Sequence, residues 1–207
     1  MWFPIVLTVL ISYLLGNLNG AFNVSMLIAE EDVRKKGSGN AGLTNFVRNF
    51  GVGSAALVAI VDLLKAVLSC LLGKLLLAPY GLEKEGMMIG AVAVSLGHDF
   101  PALLGFRGGK GILSGFAIAL TIDYRCALII AAVFAVTVIV SKYVSLGSIL
   151  AATTLGIYFA VVYRNSVLIM IGGAFLGLLA VFMHRSNIKR LLNGTENKVG
   201  SKKKRAE

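Results

Sequence analysis

Seven apolar runs separated by short polar joints leave this chain of 207 residues little choice of solvent. The runs are Trp2 to Ile28, Val52 to Leu77, Met87 to Phe106, Ile112 to Ile122, Cys126 to Val140, Ile149 to Val162 and Val167 to Met183. With 57% of its residues hydrophobic and 14% charged, a water-soluble globule of this size has too little polar surface to wrap its apolar content. In lipid, each backbone N–H and C=O must find its partner inside its own segment. The expected fold class is therefore all-α, a polytopic transmembrane helical bundle. A crossing takes about 20 residues, so seven spans are expected. Five is the alternative, because the fourth run is short and His98, Asp99 and Pro101 interrupt the third.

Residues 1–184 read as a single transmembrane domain and 185–207 as a basic tail, of which 185–199 still belongs to a motif described below. The first run has no basic segment before it and no small-residue cleavage site after it, so it reads as a span and not a signal peptide. The net charge is +10, and its placement is informative. With the amino terminus outside, fifteen of the twenty Lys and Arg residues fall on the cytoplasmic side. Eight of these follow Met183, ending in Lys202-Lys-Lys-Arg205. This asymmetry predicts an outside amino terminus and a cytoplasmic carboxyl terminus. The bilayer is then the natural partner of the basic residues, and nucleic acid is not expected. Cys70 and Cys126 lie inside apolar runs and read as buried small side chains. No His, Cys or carboxylate cluster has ligand spacing, so neither a metal nor a cofactor is expected. A monomer is compatible with all of this.

The polar joints carry the candidate chemistry. Asp32-Val-Arg-Lys-Lys-Gly-Ser-Gly-Asn-Ala-Gly-Leu-Thr-Asn-Phe-Val-Arg48 combines glycines, hydroxyls, amides and bases on one predicted membrane side. Glycines let successive N–H groups converge on phosphate oxygens, and arginine adds a planar fork. Gly37, Gly39 and Gly42 match G-x-G-x-x-G in spacing, but the charged run before them excludes the preceding strand of a dinucleotide fold. Arg107-Gly-Gly-Lys-Gly111 places an ammonium among glycines without the Ser or Thr of a Walker loop. In His184-Arg-Ser-Asn-Ile-Lys-Arg190, a continuing helix would put His184 and Asn187 on one face. Asp62 and Lys65, three apart inside the second run, can neutralise each other, and a buried pair of this kind is functional by default.

Together these joints resemble the bacterial acyl-phosphate-dependent glycerol-3-phosphate acyltransferases, integral membrane enzymes that make lysophosphatidic acid. The resemblance is carried by Gly37 to Asn45 with Arg48, by Gly97-His-Asp-Phe-Pro-Ala-Leu-Leu-Gly-Phe-Arg-Gly-Gly-Lys-Gly111, by Tyr143-Val-Ser-Leu-Gly-Ser148, and by His184 through Glu196. Ala41 stands where the family has proline and Ala66 where it has glycine. Asn17 and Asn19 stand where a small residue and proline are usual, and Ile112-Leu-Ser114 where Val-Ala-Thr is common.

The resemblance implies acyl phosphate and glycerol 3-phosphate as substrates. Ser38, Arg48, Lys110 and His184 are then the catalytic candidates. Gly37, Gly39, Asn40, Thr44, Asn45, Gly108, Gly109, Ser145 and Asn187 are the substrate-binding candidates, supported by Asp62, Lys65 and His98. Two phosphorylated substrates repel each other, so Arg48 and Lys110 are expected to act mainly as electrostatic clamps. Either His184 or the donor phosphate takes the proton from the attacking hydroxyl, with the phosphate favoured. An acyl-enzyme on Ser38 would need an adjacent base that the sequence does not supply. From other functional classes, a transporter of phosphorylated solutes suits the basic joints less well, since no internal repeat is evident. An inactive lipid-binding relative is the third alternative.

Overall fold

Every apolar run is helical in the computed structural model, which describes residues 2–200; Lys202 to Arg205 lie outside the described residues. The helices are α1 (Trp2–Asn17), α2 (Gly20–Ala29), α3 (Leu43–Phe50), α4 (Ala55–Leu77), α5 (Glu83–Asp99), α6 (Ile112–Ile122), α7 (Tyr124–Ser141), α8 (Val144–Val162), α9 (Val167–Met183) and α10 (Arg185–Leu192). No strand occurs among the described residues. Five segments are long and apolar enough to cross a bilayer: Trp2–Ala29, Ala55–Tyr80, Glu83–Leu104, Tyr124–Ser141 and Val144–Val162. A sixth arises if α9 is joined to α10 across a 55° bend. At 1.5 Å per residue, α6 is about 16 Å long, half the thickness of the hydrocarbon layer.

The first run, read from sequence as one continuous span, is broken between α1 and α2. The physical cause is a set of partners for the groups exposed at the break. The Asn19 carboxamide oxygen accepts from the Phe22 N–H at 2.8 Å and caps α2. From inside α4, Lys65 donates to the carbonyls of Gly16 (3.3 Å) and Leu18 (2.7 Å), while Asp62 accepts from the Gly20 N–H at 3.2 Å. The two side chains are 2.9 Å apart. A buried ion pair thus satisfies the carbonyl end of one half-helix and the amide end of the next, groups that lipid could not serve.

Small residues draw α1, α4 and α5 together. A Cβ on Gly73 would come within 1.9 Å of the Gly86 carbonyl oxygen, and one on Gly16 within 2.7 Å of the Gly97 Cα. Such backbone approach is how membrane helices gain dispersion contact when apolar lipid removes the hydrophobic drive. Further along the bundle α9 packs on α5 and α8, α8 on α7, and α6 lies between α4 and α7. Met88, Val94, Ile118, Phe159 and Ile169 fill the centre. Outward-facing Leu75, Val140 and Leu178 are more than two-thirds exposed, as lipid-facing positions should be. Phe46 of α3 packs with Val33, Ala41 and Val58 in a second cluster under the first polar joint.

Candidate active site

The first polar joint is organised around Asn45. Its carboxamide nitrogen donates to the carbonyls of Val33, Lys36 and Asn40, each at 3.0 Å. Its oxygen accepts from the Ser38 N–H at 3.0 Å and the Asn49 amide at 3.1 Å. This amide is fully spent on shaping the loop, so the direct substrate contact expected of Asn45 has no free group to make it. Gly37 and Gly39 take the left-handed conformation, with φ of 58° and 73°. A Cβ on Gly37 would lie 2.4 Å from the Asn45 oxygen, which only glycine avoids. Ser38, Thr44 and Arg48 are left exposed, and their side chains form no hydrogen bond with other described residues. Thr44 and Arg48, four apart on α3, present a hydroxyl and a guanidinium on one face.

The glycine–lysine loop lies against this joint. Ala41 N–H donates to the Gly108 carbonyl at 3.4 Å, and Arg34 donates to the carbonyls of Leu104 (2.7 Å) and Arg107 (3.3 Å). Asn19 and Asn17, the departures at the helix break, tie the membrane helices to both joints. Asn19 donates to the Ala41 carbonyl at 2.9 Å, and Asn17 accepts from the Leu103 N–H at 3.0 Å.

Gly108 and Gly109 serve differently from the phosphate contacts expected of them. Their N–H groups already donate to the carbonyls of Asp99 (3.2 Å) and His98 (3.0 Å). What they supply is closeness: a Cβ on Gly109 would lie 2.1 Å from His98 Nε2 and one on Gly108 1.9 Å from the His98 carbonyl oxygen. His98 Nδ1 is 2.7 Å from Lys65 Nζ. An ammonium can only donate, so Nδ1 accepts and the neutral ring carries its hydrogen on Nε2. Asp62, Lys65 and His98 therefore form a buried strut from the α1–α2 break to the lysine loop.

Lys110 reaches across the bundle to the third motif. Its ammonium donates to the Asn187 carboxamide oxygen. The Asn187 nitrogen donates to Glu196 Oε1 at 3.1 Å, and Glu196 Oε2 accepts from Arg190 Nε at 2.7 Å. Burial pushes the Lys110 ammonium down to about 8; the charges of Arg190, Arg185 and Arg48 act in the same direction, with Glu196 opposing. His184 is buried where α9 bends into α10. Its Nδ1 lies 2.7 Å from the Ala180 carbonyl, which can only accept, so Nδ1 carries the hydrogen and the Nε2 lone pair is open. Burial, with Lys110 contributing, lowers the imidazole to about 4, and the ring is neutral at pH 7.

The structure thus brings Arg48, Lys110, His184 and Asn187 to one end of the bundle. Ser145 stands in the first turn of α8, where the Val199 N–H returns to the Lys142 carbonyl at 2.8 Å. Its hydroxyl is buried without a hydrogen-bond partner among the described residues, and no hydrogen bond links it to Lys110. Glu196 and Arg190 were not among the sequence candidates. The available signal was Glu196 itself, one of two carboxylates in a tail otherwise dense in basic residues. Asp99 was missed too: its carboxylate is buried, Oδ1 has no partner, and a Cβ on Gly111 would sit 3.4 Å from it.

A profile of the glycerol-3-phosphate acyltransferase family matches residues 6–194. The chain is 43% identical to a glycerol-3-phosphate acyltransferase of Thermoanaerobacter pseudethanolicus, covering 95% of this chain and 96% of that one. It is 38% identical to one from Clostridioides difficile, over 97% and 98% of the two chains. Among solved structures it is similar to PlsY, an integral membrane glycerol 3-phosphate acyltransferase, in its glycerol 3-phosphate form. That likeness has a TM-score of 0.85 and 30% identity, over 95% of this chain and 96% of that one. The lysophosphatidic acid form of the same enzyme gives a TM-score of 0.81 and 29% identity, over 95% of each chain.

Proposed function

The chain belongs to the glycerol-3-phosphate acyltransferase family, and we propose from that premise that it moves a fatty acyl group from acyl phosphate to the sn-1 hydroxyl of glycerol 3-phosphate. The products are lysophosphatidic acid and inorganic phosphate, in the first acylation of phospholipid synthesis. The observation that carries this reading is the partly buried Lys110 ammonium, which feels the charges of Arg190, Arg185 and Arg48, with Glu196 the one carboxylate opposing them among the described residues. Holding like charges together in a partly dry place is unfavourable unless anions arrive to separate them. Two phosphorylated substrates supply that compensation.

The chemistry needs little beyond positioning, because the donor is already an activated mixed anhydride. The sn-1 oxygen forms a bond to the acyl carbon, the bond from that carbon to the phosphate oxygen breaks, and the hydroxyl proton passes to the departing phosphate. Arg48 and Lys110 neutralise the two phosphates and disperse charge as the leaving group forms. Ser38 and Thr44 add hydroxyl donors, while Gly37, Gly39 and Asn40 shape the loop that offers them. Asn187 aims Lys110, and neutral His184 accepts from a glycerol hydroxyl through Nε2. The donor phosphate is the better proton acceptor, since a phosphate titrates near pH 6 and an imidazole lowered to about 4 is a weak base. Ser145 completes the shell from the α7–α8 joint. The charge asymmetry supports a cytoplasmic-facing site in the bacterial inner membrane.

The test is purified protein with radiolabelled glycerol 3-phosphate and a synthetic acyl phosphate, run beside acyl-CoA. Labelled lysophosphatidic acid from acyl phosphate alone is the expected result. Product from acyl-CoA alone overturns the donor, and counterflow of label without product overturns acyl transfer.

A further inference from the structure

At the same end of the bundle, outside the chain from Lys110 to Glu196, lies a surface depression of about 380 Å3. It is lined by Asp32, Arg34, Lys35, Leu104, Gly105 and Arg107. Its charges are unequal in kind. Arg34 is immobilised: its guanidinium holds Asp32 at 2.9 to 3.2 Å, donates to two carbonyls and lies 4.8 Å over the Phe22 ring. Asp32 therefore balances Arg34. Lys35 and Arg107 are exposed, and their side chains make no hydrogen bond or ion pair with the described residues. The depression keeps two cations at its lip that no hydrogen bond or ion pair of the described residues ties down, Lys35 feeling the Asp32 carboxylate only through space.

Next to them the chain displays apolar side chains. Leu103 is 75% exposed and Phe106 63%. Phe106 has a φ of 59°, a region bulky residues avoid. It is held there by its own N–H on the Pro101 carbonyl (2.9 Å) and by the Gly108 N–H on the Asp99 carbonyl (3.2 Å). A strained turn that offers a phenyl ring to water gains nothing. The same turn at the headgroup boundary buries the ring in acyl chains while adjacent cations stay at phosphate depth.

We infer that this depression seats the phosphate of an anionic phospholipid of the surrounding leaflet. Lys35 and Arg107 hold the headgroup, and Leu103 and Phe106 contact the chains. Arg34 is the rigid floor, already satisfied and so unavailable to the ligand. The occupant is a lipid and not a soluble phosphate because the cations lie beside an apolar collar that only an amphiphile fills. The inference does not depend on acyl transfer, since occupancy is measured without turnover.

The experiment is native mass spectrometry of the full chain taken from nanodiscs of phosphatidylcholine doped with phosphatidylglycerol. Wild type is expected to retain phosphatidylglycerol in preference to phosphatidylcholine. The double variant Lys35→Gln, Arg107→Gln should retain it roughly thirtyfold less, as two near-surface charges imply. Phe106→Gly, which suits the backbone at that position, should weaken retention severalfold while the protein still folds. Excess glycerol 3-phosphate or inorganic phosphate should not displace the lipid. Equal retention by wild type and the double variant, no preference for the anionic lipid, or displacement by soluble phosphate each overturns the assignment.

Discussion

At the end of the bundle away from the motif loops, Asp123 caps α7 and accepts from every side. Arg125 grips it with Nε at 2.9 Å and a terminal nitrogen at 2.8 Å, and the hydroxyls of Tyr158 (2.8 Å) and Tyr163 (3.1 Å) complete the shell. The paired Arg125 holds the Asp123 carboxyl well below the usual range. A depression of about 430 Å3 opens there, lined by these residues and Lys84, and Lys84 lies 5.1 Å over the Tyr163 ring. At the motif end, Lys110 donates to one neutral amide and feels the charges of one carboxylate and three further cations. Both ends hold cavities, acids and bases. One has a buried carboxylate whose charge and lone pairs are matched within the protein, and it asks nothing of a ligand. The other is left with a surplus of positive charge in a partly desolvated place, which is what an anion site needs. Cavity size does not separate the two ends; the charge ledger does.

The sharpest way to break this contrast is to remove charge at each end. Lys110→Ala is expected to lower kcat/KM about a thousandfold and Arg48→Ala about a hundredfold, since each removes a preorganised partner of a phosphate. His184→Ala should cost about tenfold in turnover without abolishing it, because the proton has another acceptor. Steady-state assays with acyl phosphate check all three, and equal rates for the variants and wild type would end the distinction.

A finer probe is pH. Lys110 is cationic below about 8, and a bound phosphate favours that charged form. The KM for glycerol 3-phosphate should be flat between about pH 7 and 8, where its phosphate is already mostly dianionic, and rise toward tenfold per unit above that, with kcat less affected. Lys110→Arg, which keeps its charge throughout, should remove the rise. A KM that falls above pH 8 contradicts the assignment.

The smallest effect on catalysis is expected at the opposite end. Asp123→Asn should leave kcat/KM within about twofold yet destabilise the protein by roughly 1–3 kcal/mol, the cost of unmatching a buried network. Because the Asp123 carboxyl is depressed in the fold, its contribution is complete above the ordinary carboxylate range and is lost as pH falls below it. Thermal unfolding of wild type and variant across acidic pH measures this. A large loss of activity in a stable Asp123→Asn protein would erase the difference between the ends.

Much of the molecule is legible in the sequence. Hydropathy marks the helices of the apolar runs but not α3 and α10, which form inside polar joints, and charge asymmetry groups Arg48, Lys110 and His184 on one predicted side. The motif spacings place Ser38, Thr44 and Arg48 in one joint and His184 with Asn187 three residues on. The break in the first span was not legible, because Asn17 and Asn19 look like departures until Asp62, Lys65, Ala41 and Leu103 appear as their surroundings. Nor were the roles of Asn45, Gly108 and Gly109, whose polar groups turn out to be consumed inside the loops.

Sequence alone determined the solvent, the helices and the side of the bundle on which basic and glycine-rich joints gather, because hydrophobicity and charge are sums over neighbouring residues. Tertiary structure decided which of those polar groups stay open. Lys110 and Asn187 are 77 residues apart, and Lys65 lies 33 from His98. Hydrogen-bond capacity is finite and is claimed first by whatever helix packing brings within about 3 Å. A residue's availability to substrate is what remains after those claims, and no local sum contains it.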